Sequence, residues 1–259
     1  MAAPILVTGG TGTLGRQVVP LLRAAGGDVR VLSRTPRTSA GGVEYVAGDL
    51  LAGTGIEQAV SGVEVVVHLA GGPKGDDEAT AALVAAARPA GVRHIVLISV
   101  IGADAVPLGY LRAKQGAETV LMESGIGFSI VRAAQFHDLT LKMVRGMTRL
   151  PVVPIPGGLR LQPVDSGEVA DRIAELALEA PAGRVADLAG PRVHPFRELV
   201  DLYLTAHGKH RPKLPVRIPG RAGRAYRDGA NLTLAGATVG RRTWEEFLAE
   251  DRMARDLAG

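Results

Sequence analysis

Ile5-Leu6-Val7-Thr8-Gly9-Gly10-Thr11-Gly12-Thr13-Leu14-Gly15-Arg16 is the stretch that decides the fold. An apolar run ends in a cluster of glycines, and Arg16-Gln17-Val18-Val19-Pro20-Leu21-Leu22 follows with a helix-like pattern. A strand that turns abruptly into a helix is the layout of a dinucleotide-binding turn. Gly9, Gly12 and Gly15 are spaced G-x-x-G-x-x-G rather than G-x-G-x-x-G, but the physical demands are the same. The turn needs residues that tolerate positive φ, and the backbone must approach a pyrophosphate without a Cβ in the way. The amides at the helix start then face the anion. In a chain with 34 glycines the spacing alone says little; its position directly behind a strand says more. Thr8, Gly9, Gly12, Thr13, Leu14 and Gly15 are therefore the expected binding turn, and a ligand-free strand–turn–helix is the alternative.

The next apolar run, Val29-Arg30-Val31-Leu32, ends in Ser33-Arg34-Thr35-Pro36-Arg37. An NAD-type site places an acidic residue here for the ribose 2′-hydroxyl. This chain has Arg34 instead, beside Ser33, and a guanidinium suits the 2′-phosphate of NADP. NADP(H) is expected over NAD(H), with a solvated loop arginine as the other reading.

Apolar runs at 5–8, 29–32, 43–46, 63–69, 92–98 and 127–131 alternate with helical patterns at 13–25, 55–61, 77–90 and 110–124. Repeated β-α-β units predict an α/β, Rossmann-type doubly wound parallel sheet. After about residue 134 the pattern changes. Leu150-Pro151-Val152-Val153-Pro154-Ile155-Pro156-Gly157-Gly158 reads as loop with short strands. Helices are expected at 168–179, 196–207 and 243–250, with a short strand at 184–188. Residues 1–259 are read as a single NAD(P)-binding domain, of which 151–259 form a small C-terminal α/β cap over the substrate.

Of the 259 residues, 46% are hydrophobic and 22% charged, which describes a globular protein. No cysteine is present, which excludes disulfides and thiolate chemistry. The immediate entry into a strand leaves no room for a signal peptide, and no long apolar run spans a membrane, so a cytoplasmic protein is expected. The net charge of +4 fits an anionic cofactor. The basic residues over 207–227, with Arg217, Arg221 and Arg224 placed to share a helical face, carry no interleaved aromatics and are not expected to bind nucleic acid.

The glycine turn, the Arg34 region, Gly48-Asp49-Leu50 and His68-Leu69-Ala70-Gly71-Gly72 together resemble the short-chain dehydrogenase/reductase superfamily. The closer likeness is to its atypical, NmrA-like branch of NAD(P)-binding proteins, and it covers most of the chain. Leu161-Gln162-Pro163-Val164-Asp165 and Thr243-Trp244-Glu245-Glu246-Phe247-Leu248 share it. The resemblance implies that Asp49 bonds the adenine amino group with Leu50 beside it, and that Leu69, Ala70 and Gly71 line the cofactor ribose. Read by itself, Asp49 is equally a turn or N-cap residue.

Tyr110-Leu111-Arg112-Ala113-Lys114 is a Y-x-x-x-K sequence. On a helix Tyr110 and Lys114 face the same way. A nearby ammonium favours the phenolate, so the pair suits proton delivery to a carbonyl oxygen while hydride arrives. The resemblance adds a role for Lys114 on the nicotinamide ribose. Ser99, at the end of the fifth strand, is either a third partner holding the carbonyl or a strand-end residue; related enzymes carry the working serine a residue or two later.

Gln135, Phe136 and His137 follow the sixth strand and are expected to line the substrate pocket, His137 as an acid/base group or a hydrogen-bonded wall. The six histidines show no metal-ligand spacing, so no metal is expected. The expectation is an NADPH-dependent oxidoreductase reducing a carbonyl- or quinone-type small molecule, as a monomer or homodimer. A redox-sensing NADP(H)-binding protein without turnover is the alternative.

Overall fold

β1 (Ile5–Thr8) is buried at every position, as a strand is when helices cover both faces of its sheet. In this computed structural model, which describes residues 3–256, it is followed by α1 (Gly15–Ala24), β2 (Val29–Ser33), β3 (Val43–Ala47), α2 (Ile56–Val60), β4 (Val65–His68), α3 (Asp76–Ala87), β5 (His94–Val100), α4 (Gly109–Met122) and β6 (Gly127–Ala133). Then come α5 (His137–Met147), β7 (Val153–Pro156), β8 (Arg160–Leu161), α6 (Ser166–Leu178), β9 (Gly183–Arg184), β10 (Leu188–Ala189) and β11 (His194–Pro195). The chain continues through α7 (Phe196–Ala206), β12 (Lys213–Val216), α8 (Gly220–Asp228), β13 (Thr238–Val239) and α9 (Trp244–Asp256).

The chain divides into two compact units. The first takes the chain up to Ala103, Leu108–Arg132 and Gly167–Val185; the second takes Asp104–Pro107, Ala133–Ser166 and everything from Ala186. In the first unit the strands lie in the order β3-β2-β1-β4-β5-β6, with β9 on β6. The pairs β1–β2, β1–β4, β2–β3, β4–β5 and β6–β9 are parallel. The doubly wound Rossmann-type sheet is thus as expected. Strand order reverses at β1, where Thr8 stands in register with Leu32 on one side and His68 on the other. Ligands of such sheets bind outside the carboxyl ends of the strands at this reversal. The core is aliphatic, built on Leu6, Leu83, Ile95, Leu121 and Ile130.

The second unit holds short strands: β7 pairs in parallel with β12, and β8 antiparallel with β11. Its core is part aromatic, with Phe196, Tyr203 and Trp244 packed among Leu141, Val144 and Leu199. Three expectations need correction here. Helix α5 was not foreseen, although His137, Thr140, Leu141 and Val144 form its buried stripe. The single strand expected at 184–188 is two, because the offset to β6 grows by one residue between Ile130↔Arg184 and Ala133↔Leu188, and an extra residue interrupts a ladder. Arg217 precedes α8, so it does not share the helical face of Arg221 and Arg224. Among the described residues, no helix is long and apolar enough to cross a membrane.

Candidate active site

The glycine turn is shaped by contacts that exclude side chains. Gly9 has φ +69°, and a Cβ on it would stand 2.6 Å from the Ala70 nitrogen. A Cβ on Gly15 would stand 2.3 Å from the Gly9 carbonyl oxygen. Helix α1 starts at Gly15 with no side-chain cap on its first amides and no acidic residue in its first turn. The Arg16 and Gln17 amides donate to the Gly12 and Leu14 carbonyls, and no side chain competes with an anion for the positive end of the helix dipole. Thr13 is exposed and Leu14 buried at this start.

Within the first unit a cleft of about 400 Å³ opens over the strand-order reversal. Thr8, Gly9, Gly12, Ser33, Arg34, Asp49, Leu50, Leu69, Ala70 and Gly71 line it. Gly48, Leu51, Lys74 and Asp76, which sequence reasoning passed over, line it too. Arg34 is exposed at the β2 end, while the Ser33 hydroxyl donates to the Thr35 carbonyl at 2.8 Å. Asp49 Oδ1 accepts the Leu51 amide at 2.9 Å, closing the turn that puts Leu50 on the wall. A dinucleotide fits this donor set: an uncapped helix start, a Cβ-free turn and an arginine at the β2 end.

Below the cleft, His68 is fully buried. Its Nδ1 lies 2.6 Å from Thr8 Oγ1 and its Nε2 3.1 Å from Thr80 Oγ1. Burial, with the Lys114 charge second, lowers its pKa to about 3, so the ring is neutral at ordinary pH.

Tyr110 and Lys114 sit one turn apart on α4. Tyr110 is 40% exposed and Lys114 only 7%. The Lys114 ammonium lies 2.9 Å from Asp76 Oδ2, and a Cβ on Gly71 would be 2.8 Å from Nζ. Lys114 thus reaches the wall of the cleft from behind. Ser99 is buried, and its hydroxyl donates to Glu118, whose two oxygens accept Arg132 Nε and Nη2 at 2.7 Å each. The hydroxyl is committed to this buried ion pair.

Gln135, Phe136 and His137 lie in the second unit, where Phe136 bridges to Val164 and precedes α5. The Gln135 Oε1 is buried without a hydrogen bond. His137 is fully buried, and neither ring nitrogen makes a hydrogen bond. It packs at 5.0 Å from the Phe247 ring and 5.8 Å from that of Trp244, with Asp165 Oδ2 3.9 Å from Nδ1. Elsewhere in this unit His194, Glu198 and Glu245 bring their ligand atoms within 4.8 Å of one another. Arg192 pairs with both carboxylates, at 2.6 and 3.5 Å, and answers their charge.

A family model described as NAD(P)H-binding matches residues 9–179. The chain is 34% identical over 202 residues to the (4-alkanoyl-5-oxo-2,5-dihydrofuran-3-yl)methyl phosphate reductase of Streptomyces griseus subsp. griseus, covering 75% of this chain and 70% of that protein. It is 28% identical to the NAD(P)H azoreductase of Xenophilus azovorans, over 79% and 74% of the two chains. The structure of an NADPH-dependent quinone oxidoreductase from Escherichia coli, complexed with NADPH, superposes with a TM-score of 0.83 at 20% identity, covering 96% of this chain and 99% of that one. The chain belongs to the NAD(P)H-binding family. Within it, the protein is an NAD(P)-dependent oxidoreductase.

Proposed function

We propose that the protein uses NADPH to reduce a small molecule bearing a carbonyl or quinone group, with Tyr110 as proton donor. The observation that carries this reading is the arrangement on α4, where the Lys114 ammonium meets the cleft wall at Gly71 and Tyr110 stands one turn earlier. Arg34 and Ser33, at the β2 end of the cleft, support the 2′-phosphate form of the nucleotide. An NADPH held by the glycine turn, Ser33 and Arg34 would supply the hydride for the carbonyl carbon. Tyr110 gives its hydroxyl proton to the carbonyl oxygen and takes a replacement from solvent. Lys114 favours the phenolate that remains, and holds the ribose. The relatives named as reductases support the reaction class.

Tyr110→Phe tests the chemistry. NADPH oxidation with an accepted carbonyl substrate falls by about 100-fold or more, the weight of a general acid, while NADPH still binds. Unchanged turnover removes Tyr110 from the mechanism. A second reading, NADP(H) binding without turnover, rests on the Ser99 hydroxyl being committed to Glu118. NADPH binding by calorimetry, with no oxidation across a carbonyl and quinone panel, would establish it.

A further inference from the structure

Lys114 is the one side chain of the proposed chemistry that is both charged and buried. A four-carbon stem does not hold an ammonium still by itself, and a buried charge needs a partner. Asp76, the first residue of α3 and 4% exposed, is that partner. Its Oδ2 lies 2.9 Å from Lys114 Nζ, and its Oδ1 accepts the Gly72 amide at 2.8 Å. One carboxylate therefore fixes both the ammonium and the loop that forms the cleft wall.

Asp76 is itself held from below. The Thr80 hydroxyl donates its proton to the Asp76 carbonyl at 2.7 Å. Having spent that proton, Thr80 can only accept from His68, which sets the His68 hydrogen on Nε2. Nδ1 is then an acceptor and takes the Thr8 hydroxyl proton, and Thr8 Oγ1 accepts the Ala70 amide at 3.3 Å. Every donor in this row points one way, from Ala70 through Thr8, His68 and Thr80 to Asp76. The row links the end of β1, the end of β4 and the start of α3, the elements that frame the cleft.

We propose that Asp76 is the positioning residue for Lys114: it holds the ammonium at the cleft wall, and NADP(H) affinity depends on Asp76 through Lys114. This rests on the reading that Lys114 touches the nucleotide, and it is independent of Tyr110 and of any substrate. It makes Asp76 and Lys114 a unit. With Lys114 removed, Asp76 is an uncompensated negative charge beside an anion site, so removing it as well restores part of the loss.

The test is a double-mutant cycle read by NADPH binding, by fluorescence or calorimetry, on protein shown by melting to be folded. Lys114→Met is expected to weaken NADPH about 10- to 100-fold, the weight of a charge-assisted contact. Asp76→Asn is expected to weaken it about 10-fold, and the double variant to bind no worse than Lys114→Met. A purely structural Asp76 would impose its penalty equally in both backgrounds, and that additivity overturns the proposal, as does full NADPH affinity in Asp76→Asn. Unchanged affinity in Lys114→Met instead overturns the reading of Lys114. If Asp76→Asn does not fold, Asp76→Ser, which keeps an acceptor at the start of α3, completes the same cycle.

Discussion

In the first unit, buried polar side chains close on one another: Ser99 with Glu118 and Arg132, His94 with Ser129, and His68 between two threonines. In the second unit more of them end without a bond, at Gln135 Oε1, both nitrogens of His137, Thr140 Oγ1, Gln162 Oε1 and Trp244 Nε1, whereas His94 Nδ1 is such an atom in the first. The cores differ in the same sense, aliphatic in the first and aromatic in part in the second. Parallel strands with register leave few backbone or side-chain groups to chance. Short strands and rings of irregular shape leave polar atoms stranded beside them. Buried polar atoms without partners cost free energy, and more of that cost falls on the second unit than on the first.

The sharpest way to break that contrast is to remove one anchor from each core. Arg132→Met leaves buried Glu118 without its cation, with only the Ser99 hydroxyl beside it, and is expected to cost about 3–5 kcal/mol in chemical denaturation. Trp244→Ala, which empties a fully buried ring site, is expected to cost about 3–5 kcal/mol by cavity formation. An Arg132→Met protein as stable as the parent would mean that the buried network carries no stability.

At the cleft, Arg34→Ala is expected to weaken NADPH about 10- to 100-fold while NADH binding stays within about twofold, since only NADPH offers a 2′-phosphate to the guanidinium. Equal losses for both nucleotides, in a side-by-side titration, would remove Arg34 from the discrimination.

The neutral His68 leaves a mark on stability against pH. In the unfolded chain its imidazole protonates as pH falls through 6.5, whereas burial and Lys114 keep the folded ring neutral down to about 3. The folded state is thus favoured above pH 6.5, and this advantage drains away as pH falls towards 3. About 1.4 kcal/mol is lost between neutral pH and pH 5.5. Denaturation of His68→Gln should show a slope shallower by about one proton over this window; an unchanged slope would mean that His68 titrates alike in both states.

The smallest effect belongs to the second unit. His137→Met removes two nitrogens that bond nothing and keeps an apolar filler of similar size. It is expected to change stability by less than about 1 kcal/mol. A loss above about 3 kcal/mol would show that the Asp165 carboxylate, 3.9 Å from Nδ1, holds the ring as well as Phe247 and Trp244 do.

Legibility follows the same division. Continuous apolar runs mark β1 to β6 because both faces of each strand are covered, and Thr8 and Ser33 follow from where those runs stop, whereas Asp49 and Leu69 came from the family resemblance. Asp76 escaped because its work depends on Lys114, which is 38 positions away and meets it only when α3 and α4 pack side by side. Thr80 escaped for the same reason: nothing local shows that its hydroxyl faces His68. Helix α5 was legible in its stripe of His137, Leu141 and Val144 but was obscured by the Pro/Gly-rich run that follows it.

The sequence by itself determined the order of strands and helices as far as β6, the glycine turn and the arginine that stands where an acid would select NAD. These are local matters: periodicity, turn chemistry and charge at a fixed distance from a motif. Only the tertiary structure decided that the Ser99 hydroxyl is committed to Glu118, that Lys114 is held by Asp76, and which way the protons point from Ala70 to Asp76. Hydrogen bonds and ion pairs between distant segments depend on which side chains the packed sheet and helices bring together, and no spacing along the chain encodes that.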